Sequence, residues 1–228
     1  MSERGRPRTF DRTAALKQAM HVFWAKDYDG ASLADLTQAM GINPPSLYAA
    51  FGSKEQLFRE AVALYGQTEG TGIWQALQEG PTARQAVQRF LERTAESVTQ
   101  PGKPPGCLVV LGVLHPNEGN QHLWQELRDA RQATVRALRE RLRQAVRDGE
   151  LPAGTDCEVI TRFYAAVQHG MAIQARDGAS RAELLAVARG AMAAWDGLVS
   201  AARGASRASR RTSRKPAAGR GRAKTAAR

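Results

Sequence analysis

Hydrophobic and polar positions along most of the chain repeat with the period of a helix. Apolar residues recur every three or four positions between residues 13 and 201, and the alternating runs and Asn-Gly turns typical of β-hairpins are missing. The pattern predicts helices over residues 13–25, 32–41, 44–50, 53–64, 82–98, 108–114, 120–147, 156–176 and 180–201. We therefore expect an all-α fold of about nine helices.

Residues at the ends of these segments support the boundaries. Ser32 is placed as an N-cap, and Ser53 with Gln56 three residues later predicts a capping box. The glycine-rich stretch 66–72 and the proline- and glycine-rich stretch 100–106 are typical of loops. Both stretches are expected to separate helices.

Two of the predicted helices are short and are joined by Gly41-Ile42-Asn43, which is the pattern of a helix-turn-helix. The second helix is too short to be stable alone, so its neighbours must hold it. The expected core between them is Leu33, Leu36, Ala39, Met40, Ile42, Leu47 and Phe51. The polar residues Asn43, Ser46 and Tyr48 would then face outward, which suits insertion of the helix N-terminus into a DNA major groove.

These segments resemble the N-terminal motif of the TetR/AcrR family of transcriptional regulators. The resemblance is carried by residues 23–36, FWAKDYDGASLADL, and 40–58, MGINPPSLYAAFGSKEQLF. It is specific over residues 8–62 and looser to about residue 200. It implies a TetR-like fold and a homodimer that represses transcription at a palindromic operator in double-stranded DNA until a small-molecule effector releases it.

The resemblance also implies a division of the chain. A basic N-terminal arm would occupy residues 1–12, the helix-turn-helix domain residues 13–65, and a helical ligand-binding and dimerisation domain residues 66–202. Residues 203–228 contain only Ala, Gly, Ser, Thr, Pro, Arg and Lys, a composition that cannot form a core. We expect this last segment to be a disordered basic tail.

Carried over by position, the resemblance implies a set of DNA contacts. Ser32, Ser46, Tyr48 and Lys54 fall where the family contacts phosphates, and Asn43, Pro44 and Pro45 fall where it approaches bases. Lys54 has independent support, because a cation in the first turn of a helix opposes the helix dipole unless a phosphate lies over that end. The alternatives are an exposed Lys54 without a role, a Tyr48 that belongs to the core, and a Ser32 that acts only as a cap.

Pro44 and Pro45 depart from the family, in which a lysine and a glycine are common at these positions; so does Ala50, where histidine is common. Two prolines present rigid apolar rings and lack backbone donors. One hypothesis is that the rings contact a thymine methyl group in the major groove. The alternative is that they only fix the start of the helix.

The charged residues are distributed unevenly along the chain. The formal net charge of the 228-residue chain is +11, but residues 13–202 hold 19 basic and 20 acidic side chains. Residues 203–228 hold ten basic residues and no acid, and Arg4, Arg6 and Arg8 lie in the N-terminal arm. The arm is suited to follow the DNA backbone or enter the minor groove, and the tail to add sequence-independent affinity by counterion release.

Other classes of protein are disfavoured. Cys107 and Cys157 are too few and too far apart for a disulfide framework or a zinc site, and His115 and His122 alone do not define a metal site. Motifs of nucleotide-binding and hydrolytic enzymes, a membrane-spanning stretch and a secretory signal are missing from the sequence. We expect a cytoplasmic, nucleoid-associated regulator without enzymatic activity, cofactor or membrane partner.

Candidate effector contacts lie in the second domain. Cys107 follows Pro-Pro-Gly at the start of an apolar helix, a position that favours a reactive thiolate, and TetR-family branches with a similar Gly-Cys-Leu segment respond to electrophiles or oxidants. The alternative is a small buried core residue. The further candidates are Phe90, His115, Trp124, Phe163, Tyr164 and His169, each of which is alternatively core or interface.

Small residues along the last two predicted helices suit a four-helix dimer interface, where the family places its dimer. The sequence is also compatible with two competing functions. One is a nucleoid-compacting protein that binds DNA without sequence preference through its tail. The other is a sensor whose tail recruits an acidic partner.

Overall fold

The computed structural model describes residues 10–200, and ten helices lie within that part of the chain. In chain order they are α1 (Arg12–Gly30), α2 (Leu33–Met40), α3 (Pro44–Phe51), α4 (Lys54–Thr68), α5 (Thr71–Glu79), α6 (Ala83–Val98), α7 (Leu108–Leu111), α8 (Gln121–Arg147), α9 (Cys157–Arg176) and α10 (Arg181–Ala193). Residues 195–200 are again helical after a turn at Ala194. The all-α prediction is confirmed.

Polar caps fix the three short junctions of the N-terminal part. Ser32 and Asp35 form a complete capping box at the start of α2, and Gly41 ends that helix in the left-handed region at φ 65°. Asn43 accepts a hydrogen bond from the Ser46 backbone at the start of α3. Ser53 caps α4, but only its own half of the predicted capping box is formed.

The core around the helix-turn-helix follows the prediction with one exception. Leu36, Met40, Leu47 and Phe51 are buried, whereas Leu33 and Ile42 are half-buried. Ala39 is exposed, so its assignment to the core was wrong. Leu36 and Met40, four residues apart, define the inner face of α2, and Ala39 lies to one side of it.

Helices α6, α8, α9 and α10 surround a second group of buried side chains that is continuous with the first. Phe90, Leu138, Tyr164 and Leu184 are each completely buried. Helix α5 was not predicted, because Gly66, Gly70 and Gly72 suggested a loop. Ile73, Ala76 and Leu77 are all buried, and their spacing of three and four residues is the signal in the sequence that identifies this helix.

Helix α7 is shorter than predicted and ends at Leu111 rather than Leu114. Gly112 lies so close to Leu108 that an added Cβ would be 2.5 Å from the Leu108 carbonyl oxygen. The Gly112 carbonyl oxygen accepts a hydrogen bond from the Tyr28 backbone at 2.9 Å instead of continuing the helix. A tertiary contact with α1 therefore sets the end of α7.

The C-terminal end of α1 contains a backbone conformation that is unusual for a side chain other than glycine. Asp27 has φ 61° and ψ −176°, and α1 is kinked there. Its carboxylate accepts a hydrogen bond from the Gly30 backbone at 2.8 Å, which closes the turn into α2. This conformation is strained for an aspartate.

Candidate DNA-binding face and effector cavity

The proposed recognition helix α3 presents its N-terminal end to solvent. Asn43, Pro44 and Pro45 are exposed and Ser46 is half-buried. Tyr48 is 45% exposed, which places it outside the core. The predicted base-approaching residues therefore form one accessible ridge, and Ser32 is exposed at the start of the preceding helix.

Lys54 lies over an aromatic ring at the first turn of α4. Its Nζ atom is 4.5 Å from the ring centroid of Tyr28, and Tyr28 packs edge-on against Phe58 at 5.1 Å. Burial lowers the pKa of Lys54, and the nearby carboxylates of Asp29 and Asp27 oppose that shift. The lysine is thus held by a cation–π contact at a helix N-terminus that would otherwise repel it.

Arg12 holds the opposite end of α3, a role that sequence reasoning missed. Its guanidinium lies 4.3 Å from the centroid of the Phe51 ring and donates to the Ala50 carbonyl oxygen at 3.3 Å. It also pairs with Glu60 on α4 at 2.8 Å. The sequence placed Arg12 in the basic arm, but α1 begins at this residue, so it belongs to the folded part.

Two hydrogen bonds connect α1 to the segment around α7. The Trp24 indole nitrogen donates to the Gly106 carbonyl oxygen at 3.0 Å, and the Tyr28 backbone donates to Gly112. From α9, Arg176 donates to the carbonyl oxygens of Trp24 and of Pro105. The end of α1 is therefore tied to the loop that precedes Cys107.

Helix α8 makes further connections to the N-terminal part. The Asn120 side chain donates to the Asp29 carboxylate at 2.7 Å. Arg59 on α4 pairs with Glu126 at 2.9 Å and with Glu55 on its own helix. Glu55, in the first turn of α4, also lies 2.9 Å from His122, so the start of α8 contacts the first turn of that helix.

A small cavity of about 70 Å³ lies between α4, α5, α6, α8 and α9. Three of the predicted effector contacts, Phe90, Cys107 and His169, line it together. Tyr65, Arg131 and Gln168 also line it, and sequence reasoning missed them. Cys107 is buried and is not in a disulfide.

The surroundings of Cys107 are polar on one side. Burial raises the pKa of the Tyr65 hydroxyl strongly, and the adjacent Cys107 thiol adds to that shift. Burial lowers the pKa of His169, and the charge of Arg131 lowers it further. The cavity therefore combines a thiol, a phenol, a neutral imidazole and a guanidinium.

The other four candidate effector residues lie away from this cavity. Tyr164 is buried and donates from its hydroxyl to the Ala191 carbonyl oxygen at 3.2 Å. Trp124 is half-buried under the Arg128 guanidinium, His115 is exposed between α7 and α8, and Phe163 is exposed on α9. The structure does not bring these side chains together with Cys107.

Phe163 instead belongs to an outer stripe of α9. Val159, Phe163 and Ile173 are all exposed large hydrophobic residues, and with Ala166 and Gly170 they repeat at spacings of three and four. Such a stripe on one face of a helix is typical of a surface that packs against another helix.

Residues 10–200 contain no group of three metal-ligating side chains, and His122 lies 2.9 Å from Glu55. None of the helices in that range has the length and apolar character needed to cross a bilayer. Arg4, Arg6, Arg8 and the tail 203–228 lie outside the described residues.

Comparison with known proteins identifies the family to which this architecture belongs. Residues 15–61 match the family described as bacterial regulatory proteins, tetR family, and residues 83–192 match the tetracyclin repressor-like C-terminal domain. The chain belongs to the TetR family. Among relatives of this TetR-family regulator, the transcriptional repressor ComR of Escherichia coli K12 is 35% identical over 86% of this chain and 94% of ComR.

Two further relatives agree with this assignment. The repressor BdcR of Escherichia coli K12 is 31% identical over 81% of this chain and 88% of BdcR. A cysteine mutant of the TetR-family regulator CifR, solved with 26-base-pair double-strand operator DNA, is 47% identical with a TM-score of 0.79. That comparison covers 83% of this chain and 100% of the CifR chain.

Proposed function

We propose that this TetR-family regulator is a homodimeric repressor that binds a palindromic operator and leaves it when an effector occupies the cavity at Cys107. One observation carries the proposal. Cys107, which lines the cavity, directly follows Gly106, whose carbonyl oxygen accepts a hydrogen bond from the Trp24 indole on α1. Since α1 also carries Tyr28, which supports Lys54, a change at the cavity reaches the DNA-binding face through few contacts.

Operator recognition is assigned to α3 and its flanks. The exposed ridge Asn43-Pro44-Pro45 would approach bases, while Ser32, Ser46, Tyr48 and Lys54 would contact phosphates. Because the proline rings offer no donor, we propose that they contact a thymine methyl group. Selection from random duplexes that found no thymine preference in the half-site would contradict this detail.

Dimerisation is assigned to the outer stripe of α9 together with the small residues of α10. Ala182, Ala186, Gly190 and Ala193 are exposed on α10, and small side chains allow helices to approach closely. The substitution Phe163→Glu would place a charge in this interface and is expected to yield a monomer by sedimentation. Glu substitution at the exposed Leu114, outside the stripe, serves as the control.

Effector release is assigned to the Cys107 thiol. An alkylating reagent such as iodoacetamide would form a new S–C bond as iodide leaves and the thiol proton passes to buffer. The added group would occupy the cavity of about 70 Å³ and, because it is tethered to Cys107, would press on the backbone beside that residue. The adjacent Gly106 has no room to yield, because a Cβ there would meet Leu111 at 2.7 Å.

The experiment compares operator binding before and after treatment with iodoacetamide, using fluorescence anisotropy. The native chain should lose operator affinity after alkylation, whereas Cys107→Ser should keep it. Cys157→Ser is the matched control and should respond like the native chain, because Cys157 lies at the start of α9 away from the cavity. Equal release of native and Cys107→Ser proteins would contradict the assignment.

The proposed mode of action is binding rather than catalysis. The roles assigned to α3, the α9 stripe and the cavity involve no turnover of the effector. A repressor of this kind acts on the bacterial chromosome, which places its work in the cytoplasm.

A further inference from the structure

The cavity at Cys107 contains buried polar atoms that no other described residue satisfies. Gln168 is only 5% exposed, and its Oε1 atom has no hydrogen-bond partner within residues 10–200. The neighbouring His169 has a buried Nε2 atom that also has no hydrogen-bond partner within residues 10–200. Because buried polar groups are nearly always bonded, these two atoms in the lining of one cavity require hydrogen-bond partners from within it.

The charge of the cavity is also unbalanced. Arg131 is half-buried, and its guanidinium makes one described hydrogen bond, from an Nη atom to the Val109 carbonyl oxygen at 3.0 Å. Burial lowers the pKa of Arg131, and no carboxylate of residues 10–200 pairs with it. The lining contains no aspartate or glutamate, so a permanent cation faces the cavity without a counterion.

The remaining wall of the cavity is apolar. Ile73 and Trp74 from α5, Phe90 from α6 and Val110 from α7 line it. The volume of about 70 Å³ is about half that of a cavity of about 150 Å³ that holds benzene, so a ligand of a few non-hydrogen atoms suits it. A suitable ligand has an oxygen-rich end and a short hydrocarbon end.

We propose that the cavity binds a short-chain carboxylate, with its alkyl end against Phe90 and Val110 and its oxygens accepting hydrogen bonds from Arg131 and from the Nε2 atom of Gln168. Rotation of the Gln168 amide by 180° places that donor where Oε1 now lies. A guanidinium and a carboxylate are opposite in charge and match in bidentate geometry. A neutral amide of the same shape lacks both the charge and the second acceptor oxygen. The inference rests on the proposed function only in naming the same cavity. It requires no reaction at Cys107.

Isothermal titration calorimetry of the full chain with sodium propionate tests the proposal. We expect one site per chain, and at least tenfold weaker binding of propionamide, which has the same shape without the charge. Sodium chloride at matched ionic strength controls for general anion binding. Equal binding of propionate and propionamide, or equal displacement by chloride, would overturn the assignment, as would the absence of propionate binding.

Two substitutions locate the site. Arg131→Met should weaken propionate binding at least tenfold, whereas Arg128→Met, which removes the same charge from the same helix outside the cavity, should leave it unchanged. Gln168→Met should weaken binding by a smaller factor and gives a second measurement if Arg131→Met does not fold, as judged by circular dichroism. If Arg131→Met folds, unchanged binding in that protein would contradict the proposal. If it does not fold, unchanged binding in Gln168→Met would do so.

A separate measurement distinguishes this inference from the proposed function. Propionate that binds and also lowers operator affinity supports both. Propionate that binds without changing operator affinity supports the carboxylate site and contradicts its role as an effector site. Absence of binding overturns the carboxylate site alone, because release by alkylation of Cys107 is measured independently.

Discussion

The indole nitrogen of Trp24 donates a hydrogen bond to the carbonyl oxygen of Gly106 across 3.0 Å, in a buried environment. Gly106 has φ 89°, and a Cβ there would lie 3.0 Å from the Ala172 carbonyl oxygen on α9. The backbone next to Cys107 is therefore fixed to α1 on one side and to α9 on the other. This arrangement joins the proposed effector cavity to the DNA-binding part and to the proposed dimer interface.

Replacing Trp24 with Phe should weaken that connection. The change leaves the buried Gly106 carbonyl without its donor, which is expected to lower the free energy of unfolding by about 1–3 kcal/mol. Operator affinity should persist, while the loss of affinity on alkylation of Cys107 should become smaller than in the native chain. Urea denaturation and anisotropy measure the two effects, with mass spectrometry to verify equal alkylation.

Trp195→Phe is the matched control for that experiment. Trp195 is also buried, but no indole hydrogen bond is found for it among the described residues. A Trp24→Phe protein that is released from the operator as fully as the native one would show that the Trp24 bond does not transmit the signal.

Asp27→Gly should stabilise the protein. The conformation at φ 61° and ψ −176° costs an aspartate about 1–3 kcal/mol, and glycine adopts it freely. The substitution also removes the 2.8 Å hydrogen bond to the Gly30 backbone, which is worth about 0.5–1.5 kcal/mol. We expect a net gain of about 1 kcal/mol by urea denaturation.

Asp27→Asn separates the strain from the charge. It keeps the side-chain oxygen and the conformation but removes the carboxylate near Arg176 and Lys54. Its stability should stay below that of Asp27→Gly. A glycine variant less stable than the native chain would mean that the aspartate contacts outweigh the backbone strain.

The helix-turn-helix could be predicted in detail because its signals are local. Ser32, Asn43 and Ser53 act as caps and Gly41 ends α2, all within a few residues of the positions that they control. The length of α7 could not be predicted, because it depends on a contact between Gly112 and Tyr28, far apart in sequence.

The cavity was predicted only in part for a similar reason. Phe90, Cys107 and His169 stand out by residue type, and the structure brings these three together. Arg131 belongs to a helix on which arginines alternate with acidic residues, a pattern typical of a solvated surface, and only its hydrogen bond to the Val109 carbonyl oxygen shows that it turns inward. Tyr65 and Gln168 carry no local signal beyond helical periodicity.

Lys54→Met should reduce operator affinity and flatten the dependence of log K on log salt by about one unit of slope, as expected for one lost phosphate contact. Lys54→Arg should retain most of the slope because it preserves the charge over the Tyr28 ring. Lys17→Met removes an exposed lysine from α1 and serves as the control. A native slope in Lys54→Met would remove Lys54 from the DNA contacts.

Deletion of residues 203–228 tests the role of the basic tail. Because ten cations are removed, the salt dependence of DNA binding should become weaker for every duplex, while the ratio of operator to random-duplex affinity stays the same. An unchanged salt slope would show that the tail does not contact DNA. A lost preference for the operator would favour the sequence-independent, nucleoid-compacting alternative.

We expect residues 43–54 to recognise a defined operator as part of a symmetric dimer. Selection of bound duplexes from a random pool tests it most directly, using the full chain and the variant without residues 203–228. We predict one inverted repeat in both experiments, with half-site centres about 34–36 Å apart or at a multiple of that distance. Enrichment of no motif, or of a motif that disappears with the tail, would contradict it.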